Sequence, residues 1–207
     1  HTIDETAARG ICGSGLMDAV AVLTQLGIVE ATGRMLTPET APPEAGALRD
    51  RIDTTDKLPR FVLVEGKDSA TGKPVYLTSR DVRELQLAKG ALCAGIFVLL
   101  EELGVGVDEI DELLLAGAFG NYIRRESALA IGLLPELELE KVKPVGNAAG
   151  VGAQLALVSR SMRRLAEEAA SRVEYVELSK SEGFYELFTE AMTLAPARGE
   201  RAAGKSE

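Results

Sequence analysis

Apolar residues recur every three or four positions in several segments of the chain, and this spacing predicts amphipathic helices. The first helix is expected over residues 12–27, because Gly-Ser-Gly suits its start and Gly27 suits its end. The longest helix is expected to begin at a capping box formed by Thr78 and Asp81 and to end at Gly104. Its expected apolar stripe consists of Val82, Leu85, Leu92, Ile96, Leu99 and Leu103. Further helices are expected at residues 121–131, 147–170 and 181–192.

Short runs rich in Val, Leu and aromatic residues predict strands between these helices. Residues 61–65 and 74–78 flank a link that contains Ser, Thr and Gly, so we expect them to form a β-hairpin. Residues 113–116 form an unbroken apolar run, and we expect them to pair in parallel with residues 142–145 in a sheet buried on both faces. A further strand is expected at residues 173–178.

Strands that alternate with helices predict an α/β fold, with a mixed sheet, flanking helices and a β-hairpin. Four prolines among residues 36–59 predict a surface loop with one helical turn around residues 45–51. We therefore treat residues 36–78 as a loop and hairpin insertion. Small and polar residues at 196–207 predict a disordered tail, which leaves residues 1–195 as the folded part.

The charge balance argues against several classes of function. The 207 residues carry 23 Lys plus Arg against 32 Asp plus Glu, a formal net charge of -9 that is unsuited to binding nucleic acid. No apolar run approaches the roughly 20 residues that span a bilayer, and no signal peptide is visible, so we expect a cytoplasmic protein. Two cysteines, Cys12 and Cys93, and one histidine, His1, argue against a disulfide framework, a closed zinc site and a Ser-His-Asp enzyme.

Three glycine-rich segments are the candidate chemistry of the chain: residues 13–15, 117–120 and 146–152. Each opens a predicted helix, and the last two also follow a predicted strand. Free backbone N–H groups at a helix start attract anions, and glycine lets a ligand approach the backbone closely. Ligands of open α/β sheets collect beyond the carboxyl ends of the strands, so a nucleotide can lie across these turns. The alternative is that each turn is only a compact connection, since none matches a Walker loop or the dinucleotide fingerprint.

Four blocks of the sequence, residues 10–20, 78–90, 115–123 and 146–153, resemble those of reductive activators of corrinoid proteins. These activators are ATPases of the acetate and sugar kinase, heat-shock chaperone and actin superfamily. The resemblance implies a ribonuclease-H-like subdomain of an actin-like ATPase. It also implies an activity that couples ATP to electron transfer and returns cob(II)alamin to cob(I)alamin.

The resemblance implies nucleotide-binding roles for residues in all four blocks. Residues 117–120 resemble the adenosine motif, residues 146–150 the second connecting motif at the interdomain hinge, and residues 13–15 the helix start beside the phosphates. Gln86 and Lys89 lie one helical turn apart, and they either reach a ribose or phosphate or belong to a solvated helix face. The candidate nucleotide-binding residues are Gly13, Ser14, Gly15, Gln86, Lys89, Gly117, Ala118, Phe119, Gly120, Asn121, Gly146 and Asn147.

Other parts of the family pattern are not found in this sequence. The Asp-x-Gly strands that hold Mg²⁺ and position water are expected before residue 1, together with an iron–sulfur ferredoxin domain. The sequence therefore resembles the C-terminal part of the ATPase domain. We expect it to take part in binding ATP or ADP, with Mg²⁺ in the full-length protein, and to contain no catalytic residues of its own. A corrinoid protein and a second copy of the chain are the expected partners.

Two alternatives stay open. The glycine turns can serve packing only, in a docking or dimerisation module without enzymatic activity. In the second alternative, Cys12 is a redox thiol or ligates an iron–sulfur cluster shared between subunits, as in activators of 2-hydroxyacyl-CoA dehydratases; otherwise it is a small buried residue. Cys93 is expected to be structural. Asp18 either compensates the helix dipole or contacts magnesium or ribose, and Arg124 and Arg125 either contact phosphate or form an exposed basic pair.

Overall fold

The computed structural model describes residues 2–117, 120 and 122–198. Six α-helices are found in these residues: α1 Gly13–Gln25, α2 Ser79–Leu103, α3 Arg125–Ala130, α4 Ala148–Val158, α5 Arg160–Ser171 and α6 Phe184–Ala191. The strands are β1 Ile52–Asp53, β2 Arg60–Val64, β3 Val75–Thr78, β4 Leu113–Ala116 and β5 Val142–Gly146. A 3₁₀ segment at Pro43–Arg51 contains the helical turn that the sequence predicts near residues 45–51.

The strands form two sheets in the described part of the chain. β1, β2 and β3 are antiparallel neighbours, with Phe61 opposite Leu77, which confirms the predicted hairpin. β4 and β5 pair in parallel, with Leu113 opposite Val142, as expected for strands joined through a helix. β1 escapes prediction because two residues give no measurable alternation of apolar and polar positions.

The long helix α2 has the predicted ends but a different buried face. Gly104 adopts the left-handed conformation that closes it. Val82 and Leu85 are buried, whereas Leu92, Leu99 and Leu103 are exposed, so the predicted stripe is wrong in its second half. The buried face there consists of Gln86, Lys89, Gly90, Cys93, Ala94, Gly95 and Val98.

Helix α6 packs on this small-residue face, and its approach explains the difference. A Cβ atom at Gly90 would stand 3.2 Å from Met192 Cγ and 3.3 Å from the Phe188 carbonyl oxygen. A Cβ atom at Gly95 would likewise stand 3.1 Å from Leu178 Cδ1. Small side chains on α2 therefore allow α6 to come close, and the larger leucines lie on the other side of the helix.

The sheet of β4 and β5 is less buried than its sequence predicts. Leu114 in β4 is 56% exposed, and Val145 in β5 is 43% exposed, so burial on both faces is wrong for the described residues. The inward-facing residue Val142 is fully buried. Two strands with one covered face leave the other face open in this chain.

Several boundaries after residue 120 differ from the predictions. α3 begins at Arg125 instead of residue 121, and the helix expected over 147–170 is two helices interrupted at Ser159. Ser159 accepts a hydrogen bond from Met162 N as the N-cap of α5, with an N–O distance of 3.4 Å, and its backbone is extended. Residues 173–178 form no sheet, so the strand predicted there is wrong.

The C-terminal segment Met192–Arg198, called the strap below, is part of the folded structure. Leu194 is 2% exposed, and its N–H donates to the Ala31 carbonyl at 2.8 Å. Ala197 forms a bridge with Pro135, and its carbonyl accepts from Glu136 N at 2.8 Å. The predicted tail is therefore wrong for residues 196–198, because backbone hydrogen bonds order them, and residues 199–207 lie outside the described residues.

The capping box of α2 gives a direct test of the helix start. Thr78 N donates to Asp81 Oδ2 at 2.8 Å, and Asp81 N donates to Thr78 Oγ1 at 3.2 Å. We expect Thr78→Ala to lower the free energy of unfolding by about 1 kcal/mol, measured by urea denaturation. The control is Thr54→Ala at an exposed loop position, which should change it by less than about 0.5 kcal/mol. Equal effects of the two substitutions would contradict the assignment.

Candidate functional site

The glycine turns after β4 and β5 lie side by side. Ala116 pairs with Gly146 in the parallel ladder, and the Gly117 N–H donates to the Gly146 carbonyl at 2.7 Å. Both glycines have positive φ, 98° at Gly117 and 72° at Gly146, so the chain turns away from the sheet at the same edge. A Cβ atom at Gly117 would meet no atom of the described residues within 4 Å, so none of them fills the space beside this backbone.

Close backbone packing continues on both sides of this edge. Gly120 is buried, and a Cβ atom there would stand 3.2 Å from the Leu115 carbonyl oxygen. Asn147 is the N-cap of α4, and its Oδ1 accepts from Gly150 N at 3.0 Å. A Cβ atom at Gly150 would stand 2.6 Å from Asn147 Nδ2, so a larger residue would disturb the cap. The first turn of α4 thus starts directly beside the Gly117–Gly146 contact.

The remaining adenosine-motif candidates, Ala118, Phe119 and Asn121, lie outside the described residues. The third glycine segment, residues 13–15, forms the first turn of α1, where no side chain caps the backbone N–H groups. α1 packs against α3, the helix that follows the Gly117 turn. The structure thus joins the Gly117 and Gly146 turns directly and connects the α1 segment to them through α3.

Gln86 and Lys89 are placed in the interior, so the solvated-face alternative is wrong for both. Gln86 Nε2 donates to the carbonyls of Thr32 at 3.1 Å and Met192 at 2.9 Å. Lys89 is 1% exposed, and its Nζ donates to the carbonyls of Thr193 at 2.5 Å and Gly132 at 3.5 Å. Their donors are engaged by backbone, and we therefore leave both side chains out of the nucleotide site proposed below.

Burial also changes the acid–base properties of this region. Desolvation lowers the pKa of Lys89 to about 8, because no carboxylate among the described residues pairs with the buried ammonium group. Desolvation raises the pKa of Cys93, which is fully buried one turn along α2, to about 11. Cys93 is therefore an unreactive interior thiol, as the sequence predicts.

Cys12 is the N-cap residue of α1 and is exposed, which excludes its reading as a small buried residue. Its Sγ lies 3.4 Å from Ser14 Oγ, and the Ser14 hydroxyl is the main cause of a lowered thiol pKa, followed by the Gly15 backbone N–H. Asp18, one turn further, has Oδ1 shielded from solvent without a hydrogen-bond partner among the described residues.

Arg125 holds the strands instead of forming an exposed basic pair with Arg124. Its Nη1 donates to the carbonyls of Leu139 at 3.2 Å and Val142 at 3.0 Å, at the start of β5. The sequence does not predict this role, because two adjacent arginines do not indicate which distant backbone carbonyls one of them will bind. Arg124 is exposed and precedes α3.

The described residues offer little that could hold a metal or a cluster. They contain no group of three or more His, Cys, Asp or Glu side chains with metal-site geometry. Cys12 and Cys93 lie on different helices, one exposed and one buried, so they do not fit an iron–sulfur cluster within this chain. No helix in the described ranges is long and apolar enough to cross a membrane.

One cavity in the described residues lies away from the glycine turns. It has a volume of about 370 Å³ and is lined by Pro38, Glu39, Gly46, Arg49 and Asp50 in the proline-rich loop. Arg49 closes this loop, because its Nε donates to the Pro38 carbonyl at 2.9 Å. We assign this cavity to loop packing, since it brings together no glycine turn and no cluster of ligand side chains.

The buried lysine makes stability depend on pH in a defined direction. Between pH 8 and 10.5 the unfolded chain keeps the Lys89 proton that the folded chain loses, so the free energy of unfolding rises with pH. The expected gain from pH 8 to 9 is about 1 kcal/mol, measured by urea denaturation. The raised pKa of Cys93 opposes this trend from about pH 9 upward, so the comparison is made in a Cys93→Ala background.

The matched variant is Lys89→Met in the same Cys93→Ala background. It keeps the apolar stem and removes the titrating group, so its free energy of unfolding should lose this rise between pH 8 and 9. All other titrating groups are common to the two proteins and cancel in the difference. Parallel pH profiles for both proteins would refute a lowered pKa at Lys89.

Comparisons with known proteins show the family and the fold of the chain. A family model described as the C-terminal domain of RACo, the ASKHA domain, matches residues 1–203. The chain is 35% identical over 187 residues to the corrinoid activation enzyme RamQ of Eubacterium limosum, covering 90% of this chain and 31% of that protein. It is 24% identical over 183 residues to a [Co(II) methylated amine-specific corrinoid protein] reductase of Methanosarcina barkeri, covering 87% of this chain and 28% of the relative.

A solved structure, a reductive activator for a corrinoid, iron–sulfur protein, superposes with a TM-score of 0.84 at 32% identity. The match covers 95% of this chain and 30% of that structure, so the chain spans about a third of the length of the proteins it resembles. The fold expected from the sequence, part of an actin-like ATPase domain, is confirmed. The chain belongs to the family of C-terminal ASKHA domains of RACo-type reductive activators.

Proposed function

We propose that this chain is the nucleotide-binding portion of an ATP-dependent reductive activator of a corrinoid protein. The observation that carries the proposal is the 2.7 Å hydrogen bond from Gly117 N to the Gly146 carbonyl, which places two glycine turns at one sheet edge. No described residue lies within 4 Å of a Cβ position at Gly117, which favours access of an adenine nucleoside to the backbone there. The relatives are named for activating or reducing corrinoid proteins, which favours this substrate over a dehydratase.

The backbone of this edge supplies the binding groups. The residues of the Gly117 turn contact the nucleoside, while the first turns of α1 and α4 direct free N–H groups and positive helix ends towards its phosphates. Asn147 keeps the α4 start in place through its bond to Gly150. Mg²⁺ and the residues that position water come from elsewhere in a full-length activator, so binding without turnover is expected of this chain alone.

The redox step lies outside this chain in the proposed mechanism. An iron–sulfur domain of a full-length activator would supply the one electron that converts cob(II)alamin of the corrinoid protein to cob(I)alamin. ATP binding by the actin-like domain supplies free energy for this uphill transfer through domain closure. The share of this chain is to bind the nucleotide and to change its contacts when the domain closes.

Isothermal titration of the 207-residue chain with ADP and with ATP in the presence of Mg²⁺ tests the proposal. We expect saturable binding of both nucleotides, and we expect Gly117→Leu to abolish it by filling the open space. The control is Gly72→Leu in the β2–β3 hairpin. Gly72 also has positive φ and also has nothing within 4 Å of a Cβ position, so the backbone strain is matched. Absence of heat with the unmodified chain, or equal loss in both variants, would contradict the assignment.

A second candidate function, docking to another copy of the chain, is favoured by the surface of α4 and α5. No residue of either helix is buried in the described structure. The exposed apolar side chains of the two helices are Val151, Leu155, Leu157, Val158, Met162 and Leu165. A concentration of exposed apolar side chains marks an interaction surface in a folded protein.

The charges of α5 favour a second copy as the occupant. Arg160, Arg163 and Arg164 lie in its first half, and Glu167 and Glu168 lie in its second half. This order opposes the helix dipole within one copy. In an antiparallel pair about a two-fold axis, each arginine cluster faces the glutamates of the other copy, and the apolar faces meet. We therefore propose a homodimer that pairs through α5.

Sedimentation of the chain over a range of concentrations tests the dimer. We expect a concentration-dependent dimer that dissociates in Arg163→Glu/Arg164→Glu and is restored when Glu167→Arg/Glu168→Arg is added, because the complementarity is then re-formed. Arg80→Glu/Arg83→Glu, at two exposed positions of α2, is the charge-matched control and should leave the dimer intact. This interface would be ruled out if the chain sediments as a monomer at all concentrations. It would also be ruled out if Arg163→Glu/Arg164→Glu does not weaken the dimer.

A further inference from the structure

Four separate parts of the chain meet at the buried polar side chains of α2. Gln86 binds the carbonyls of Thr32 and Met192, at 3.1 Å and 2.9 Å. Lys89 binds the carbonyls of Thr193 and Gly132, at 2.5 Å and 3.5 Å. We call this arrangement, which joins α2, the loop after α1, the turn after α3 and the strap, the α2 junction.

The junction leaves no space for rearrangement. Gly33 has a φ of 84°, and a Cβ atom there would overlap the Gln86 side chain. Gly132 has a φ of 69°, and a Cβ atom there would overlap the Ala195 carbonyl oxygen in the strap. Two glycines with positive φ thus let the loop approach Gln86 and the turn approach the strap, and side-chain donors from α2 bind the backbone carbonyls there.

The junction receives the C-terminal ends of the two helices associated with the glycine turns. α1 starts at residues 13–15, and its last turn is tied to the loop because Ile28 N and Val29 N both donate to the Leu23 carbonyl. α3 follows the Gly117 turn and ends beside Gly132. The loop after α1 is therefore held by Gln86 and the turn after α3 by Lys89, one helical turn apart on α2.

A small change at the junction is magnified at the glycine segments. α1 has 13 residues and a length of about 20 Å, so a rotation of about 5° at its C-terminal end moves its N-terminus by about 2 Å. A displacement of this size is enough to separate backbone donors from a bound phosphate. Contacts at residues 86 and 89 can thus affect the nucleotide without touching it.

We propose that Gln86 and Lys89 are positioning residues for the nucleotide site, which set the relative placement of α1 and α3 by clamping their ends to the strap. The expected effect on nucleotide binding rests on the proposed nucleotide function. The expected effect on the placement of α1 and α3 does not. In this proposal the strap belongs to the nucleotide-binding unit, because its carbonyls bind the side chains that position α1 and α3. This positioning also gives the two polar side chains a role that their spacing on α2 does not reveal.

The geometric test is a distance measurement between spin labels on α1 and α3. One label is attached to the exposed Cys12 and the other to Glu126→Cys, an exposed position on α3, while the buried Cys93 is replaced by Ala. We expect a narrow distance distribution in the parent chain and a broadened or shifted one in Lys89→Met. Arg83→Met, at an exposed position of α2, is the matched control and should leave the distribution unchanged.

A second comparison separates a general loss of stability from a loss of helix positioning. Leu77→Ala removes a fully buried side chain from the hairpin sheet and lowers stability without touching the junction. If Leu77→Ala broadens the distribution as much as Lys89→Met, the positioning role is overturned. Gln86→Leu serves as a second junction variant if Lys89→Met does not fold, and an unchanged distribution in the folded variant also overturns the proposal.

The consequence for the ligand is measured by titrating ADP into the same variants without spin labels. We expect Lys89→Met and Gln86→Leu to weaken ADP binding about tenfold, whereas Arg83→Met and Leu77→Ala keep the parent affinity. Parent affinity in the junction variants would overturn the positioning role. If the unmodified chain binds no ADP, the nucleotide function fails, and the label distances still decide whether the junction positions the helices.

Discussion

Parallel pairing of β4 with β5 is the constraint on which the candidate site depends. Parallel strands end at the same edge of a sheet, so the chain segments that leave them must start next to each other. Gly117 and Gly146 meet there through a backbone hydrogen bond, since neither carries a side chain that would separate the two turns. Arg125 reinforces the pairing from α3 by holding the carbonyl of Val142 at the start of β5. The site is thus built from main chain, and side chains mainly support it.

The interior of the molecule contains an uncommon supporting element, an ammonium group among carbonyl oxygens. Burying the lysine ammonium group without a carboxylate partner costs free energy, and the lowered pKa of Lys89 reflects this desolvation. If Gln86 and Lys89 were apolar, the carbonyls of Thr32, Met192 and Gly132 would lose these donors, whereas the Thr193 carbonyl would keep its hydrogen bond from Ala195 N at 3.0 Å. The arrangement therefore exchanges some stability for a fixed geometry at the ends of α1 and α3.

Sequence-based predictions are reliable where the interactions that decide them are local. The capping box of Thr78 and Asp81, the left-handed Gly104 and the β2–β3 hairpin depend on neighbouring residues alone, and all three are confirmed. The predictions failed where a distant element decides. The buried face of α2 is set by α6, and the strap is ordered by bonds to residues 31 and 136. The nucleotide roles of Gly117 and Gly146 stay a prediction.

The sequence by itself determined the family, the β2–β3 hairpin, the strands β4 and β5 and the glycine turns, because motif identity and short-range backbone preferences depend on consecutive residues. Only the tertiary structure decided which residues meet. Gln86 and Lys89 have the spacing of an exposed pair, yet the approach of the strap makes them interior hydrogen-bond donors. Burial depends on the whole set of packed elements, and a helix that can turn one of several faces inward does not specify that choice in its own sequence.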